Sequence, residues 1–106
     1  MDGDSNIRAV KRFMSACHAI DGTEIKVSVE VFKSARKIHT GFAELYCCYN
    51  VGYMQYDVSI NWSFDDSIMR EIGLRGIYNT NFHEFSFSDG VLTIKHNSVI
   101  ITIAKD

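Results

Sequence analysis

Residues 53 to 64 alternate without interruption. Met54, Tyr56, Val58, Ile60, Trp62 and Phe64 are large and apolar, and Gln55, Asp57, Ser59, Asn61 and Ser63 between them are polar. Successive side chains of a strand point to opposite faces, so this pattern predicts a long strand with one face on a core and the other in water. A chain of 106 residues holds one such core, and the proposed organisation is a single domain over 1–106.

The rest of the chain supplies partners for that strand. Ile7, Val10, Phe13, Met14, Cys17 and Ile20 recur at helical spacing, with Ser5 as the expected cap and Asp21-Gly22 as the expected stop. Ile25, Val27, Val29 and Val31 alternate with polar residues and predict a half-buried strand. Lys33 to Lys37 form a basic connection, and a second strand is expected from about Ile38 to Tyr49. If Ala43, Leu45, Cys47 and Tyr49 are to share a face with Met54, Tyr56, Val58 and Ile60, the turn at Asn50-Val51-Gly52 takes a plain loop of two or four residues, and a three-residue loop would need a bulge. Asp65 or Asp66 caps a short helix from Ser67 to Leu74. Short strands follow at roughly 75–79, 82–88, 91–96 and 98–104, with Asp89-Gly90 and His96-Asn97-Ser98 as turns. The fold class is α+β: an N-terminal helix on a largely antiparallel sheet, with a short second helix near the middle. Trp62 and Val58 are expected in the core beneath Phe13 and Cys17.

Chemistry is less legible. No apolar run reaches membrane-spanning length and the N-terminus lacks a secretory layout, so a cytoplasmic location is expected. Three cysteines, two of them adjacent at 47 and 48, read as free thiols. Cys17-His18 is the nearest approach to a metal pair, but adjacent helical residues diverge, and no metal or cofactor site is expected. The glycines are scattered and form no phosphate loop. No catalytic residue is assigned. Cys48, on the wetter face, is the best candidate nucleophile for an alternative reading as a small Cys/His enzyme or ligand-binding protein.

The order helix–strand–strand–strand–helix over residues 5–74 is that of a double-stranded RNA-binding domain. Asp65-Asp66-Ser67, however, would repel phosphate where such a domain carries lysines, and a net charge of −2 gives no pull toward nucleic acid. The polar side of the hairpin is more suggestive. Phe42, Glu44, Tyr46, Tyr53, Gln55, Asp57 and Asn61, with Asp65 and Asp66 beyond them, combine rings for contact area with acids and amides for specificity. The competing expectation is that this face lies under the C-terminal strands or a homodimer mate.

The chain resembles the small cytoplasmic immunity proteins that bacteria encode beside secreted or contact-dependent toxins. The resemblance rests on size, slight acidity, abundant aromatics and the run Phe82-His83-Glu84-Phe85-Ser86-Phe87-Ser88-Asp89-Gly90-Val91-Leu92-Thr93-Ile94. It implies a stoichiometric toxin inhibitor, an antitoxin rather than an enzyme, whose partner is a protein such as a basic nuclease.

Overall fold

The computed structural model describes residues 3–73 and 83–106. Two helices and six strands follow in the order α1 (Gly3–Ala16), β1 (Ile25–Lys33), β2 (Arg36–Asn50), β3 (Gln55–Trp62), α2 (Asp66–Ile72), β4 (Glu84–Ser88), β5 (Val91–His96) and β6 (Val99–Lys105). The strands form one curled sheet ordered β3-β2-β1-β6-β5-β4, and every neighbouring pair is antiparallel. The expected α+β class holds. The expected strand at 75–79 lies outside the described residues.

The core fills the concave side of the sheet. Val27, Val29 and Val31 of β1, Leu45 of β2, Leu92 and Ile94 of β5, and Ile101 and Ile103 of β6 are fully buried there, with Val10 and Phe13 of α1 above them. The C-terminal strands extend the sheet beyond β1 and do not cover its convex side. The helix–strand–strand–strand–helix order is therefore only part of the fold, because β6 pairs with β1 and makes β1 a central strand.

Two sequence expectations about α1 need correction. The helix opens at Gly3, so Ser5 lies inside its first turn. That turn is held by Asn6, whose buried side chain is anchored on β4. The helix ends at Ala16, well before Gly22. His18 takes the left-handed conformation (φ 57°), Ala19 N–H donates to the Met14 carbonyl and His18 N–H to that of Ser15, which closes a Schellman motif. Ile20 is consequently exposed.

The β2–β3 hairpin resolves the loop-length question. Asn50 pairs with Gln55, leaving a four-residue loop, Val51 to Met54. The faces match as the alternation requires: Leu45 opposes Ile60, Cys47 opposes Val58 and Tyr49 opposes Tyr56. Tyr53 and Met54 belong to the loop, not the strand, and are 76% and 79% exposed. Trp62 is buried at 9% exposure, but Val58 is only half-buried. The reason is position: β3 is an outer strand and has a neighbour on one side only. Phe13 packs toward β4 instead, edge-on to Phe87 at 6.1 Å.

After β3 the chain crosses to the core side. Phe64 stacks on Trp62 and lies where a side chain at position 41 would stand; a Cβ on Gly41 would come within 2.8 Å of the Phe64 ring. Asp65 then caps α2 by accepting the Ile68 N–H at 2.9 Å, Gly73 closes it in the left-handed conformation, and Met69 and Ile72 are buried.

Candidate functional site

The hairpin register sets out the convex face residue by residue. Glu44 stands opposite Asn61, Tyr46 opposite Ser59, Cys48 opposite Asp57, and Asn50 opposite Gln55. Glu44, Gln55, Asp57 and Asn61 are exposed, Phe42 is 45% exposed, and Tyr46 is half-buried. These side chains are held by two paired strands, so their spacing is fixed before any partner arrives.

Local contacts tie the polar groups of this surface to one another. Glu24, just ahead of β1, has its carboxyl close enough to that of Glu44 for a hydrogen bond, and this contact holds Glu24 above its ordinary pKa. Asp57 accepts a hydrogen bond from Asn50 Nδ2 at 2.9 Å, while Asn50 Oδ1 accepts the Tyr53 N–H. One asparagine thus ties the loop to the strand and presents Tyr53 at the tip beside exposed Val51. The hydrogen bond between Tyr46 and Cys48 keeps the Tyr46 hydroxyl protonated to higher pH than usual. Lys26 is the cation of this region; its Nζ sits 4.6 Å above the Phe42 ring and 4.0 Å from an Asp106 carboxylate oxygen. Lys26, Phe42, Glu44 and Asn61 line a shallow cleft of about 310 Å³.

Among the described residues, no contact ties Asp65 or Asp66 to this face. Asp65 is occupied by its cap: the Ile68 N–H, together with the Ser67 hydroxyl, lowers its pKa. Asp66 is exposed in the first turn of α2.

The thiols are dispersed. Cys47 is buried, and burial with the nearby Asp21 raises its pKa to about 11, which makes it a poor nucleophile at neutral pH. Cys48 is half-buried, with Sγ 3.6 Å from the Tyr49 carbonyl oxygen, and among the described residues no contact joins it to a histidine ring. Among the described residues, no group of three or more His, Cys, Asp and Glu side chains is arranged to hold a metal ion.

A basic row off the apolar stripe of α1 forms a second charged surface. Arg8, Lys11 and Arg12 leave one side of α1 between aromatic walls: Lys11 Nζ lies 4.1 Å from the Tyr56 ring centre and Arg12 5.4 Å from that of Phe87. Their helical spacing was visible, but not the rings that seat them, which come from strands far along the chain. The molecule is therefore polar in charge, acidic on the convex hairpin and basic along the helix. No family model matches this chain, and neither a curated protein nor a solved structure matches it.

Proposed function

We propose that this protein is a binding module that engages a basic protein partner through the convex face of its β2–β3 hairpin. The observation that supports this reading is the fixed, exposed array of Glu24, Glu44, Asp57, Gln55 and Asn61 around Phe42 and Tyr46. Rigid rings supply contact area at low entropic cost, and surrounding acids steer a cationic partner. The specific form proposed is a cytoplasmic immunity protein that neutralises a cognate bacterial toxin by stoichiometric binding at or near its active site.

The test is titration against the purified product of the adjacent gene. Tyr46→Ala should weaken binding by about 2 kcal/mol or more if Tyr46 is a hot spot. Asp57→Lys should mainly slow association, as added salt should for the wild type. Full-affinity binding by a folded Tyr46→Ala/Asp57→Lys variant would remove this face from consideration.

A further inference from the structure

The sheet has two outer edges, and the chain treats them differently. At β4, Asn6 plugs the edge: its Nδ2 donates to the His83 carbonyl, and its Oδ1 accepts the Phe85 N–H at 3.1 Å. A helix side chain thus stands in for a neighbouring strand. At β3, no hydrogen bond from a described residue reaches the outer side. The phase of the β2–β3 ladder says which groups are left there. Ser63 N–H donates to the Phe42 carbonyl at 2.8 Å, and bonded pairs recur every second residue. Asp57, Ser59 and Asn61 therefore direct their backbone groups to β2, while Tyr56, Val58, Ile60 and Trp62 turn theirs outward. The strand carries no proline, lysine or bulge, the usual blocks to edge pairing.

We infer that β3 is the interface of a symmetric homodimer, in which two copies pair β3 against β3 antiparallel about a two-fold axis at Ser59. A two-fold normal to the sheet keeps core face beside core face, so the pairing must centre on a residue rather than between two. Val58 and Ser59 straddle the middle of β3, and only these centres keep nearly the whole strand paired. Centring on Ser59 sets the Asp57 carboxylate opposite the Asn61 amide of the second copy, an acceptor against a donor, and keeps the two Asp57 side chains apart. Centring on Val58 brings those carboxylates onto the diagonal. The Ser59 register also sets Val58 opposite Ile60 and Tyr56 opposite Trp62. Half-buried Val58 and Tyr56 gain the apolar neighbour that an outer strand lacks. Both convex faces end on the same side of the joined sheet.

Sedimentation equilibrium of the full chain should give twice the monomer mass of 12.1 kDa, and emission from Trp62, the single tryptophan, should change on dilution with the same midpoint. Asn61→Asp sets like charges directly opposite across the axis and should raise the dissociation constant about tenfold or more. Asp57→Asn/Asn61→Asp swaps donor and acceptor and should return it to within about threefold of wild type. Both positions are exposed, and circular dichroism checks that the fold is kept. A monomer at every concentration overturns the inference, whether or not the Val58 and Ile60 amides are protected from exchange. So does a dimer indifferent to Asn61→Asp, or one that the double substitution fails to restore. Mass reads the dimer, whereas titration with a partner reads the function proposed above, so either can fail alone.

Discussion

At the scale of single residues, Asn6 does the most structural work for its size. It is a polar side chain on the apolar stripe of α1, four residues before Val10 and seven before Phe13, and it is buried at 4% exposure. Burial is tolerable because both ends of the amide are used, one on the His83 carbonyl and one on the Phe85 N–H. Asn6→Ala leaves two buried backbone groups unpaired, and each costs about 1–3 kcal/mol. Urea denaturation should therefore show a loss of about 2–4 kcal/mol, larger than the median surface substitution. A loss below about 1 kcal/mol would mean that water replaces the amide and that the β4 edge is not sealed by α1. Periodicity marks position 6 as facing inward, but only the fold shows a strand edge there for the amide to meet.

At the scale of elements, the β1–β2 hairpin is short of the turn chemistry its geometry demands. Lys33 pairs with Arg36, so Ser34 and Ala35 form a two-residue loop, and both have positive φ, 51° and 65°. That is the type I′ arrangement, which favours Asn-Gly; other residues in the left-handed region cost about 1–2 kcal/mol each. At the β4–β5 turn, Asp89-Gly90 fills the same need with suitable residues. Ser34→Asn/Ala35→Gly should raise stability by about 1 kcal/mol, with the flexible glycine of the unfolded chain offsetting part of the gain. The check is a shift of the denaturation midpoint at unchanged slope; no shift would place the real turn elsewhere. The Asp89-Gly90 hairpin was legible because its residues announce their conformation. The Ser34-Ala35 turn is visible in sequence only as part of a basic connection, because neither residue does.

At the scale of the whole molecule, acid should destabilise the fold through His83. Burial, aided by the charge of nearby His96, holds its imidazole below the ordinary 6.5, and the two rings meet edge-on at 4.7 Å. The unfolded chain takes up a proton near 6.5 that the folded chain refuses, so this contribution is complete above that value and is lost as pH falls below it, toward the lower folded pKa. Urea midpoints at pH 7.5 and 5.5 should differ in that direction, and the difference should shrink in His83→Gln. Equal midpoints in the wild type would show that His83 is protonated in place. The same scale separates what sequence and fold each decide. Alternation along 53–64 determined the hairpin, its face matching and the even loop, because side-chain direction in a strand follows from position alone. The same alternation put Phe42, Glu44, Gln55, Asp57 and Asn61 together on the water-facing side. What lay beyond local periodicity was left to tertiary structure: β3 as an outer strand with Val58 half-exposed, α1 packed toward β4, and Lys11 and Arg12 seated on distant rings. Strand order and edge position are set by pairings between segments far apart in the chain, and no local pattern encodes which strand is left without a neighbour.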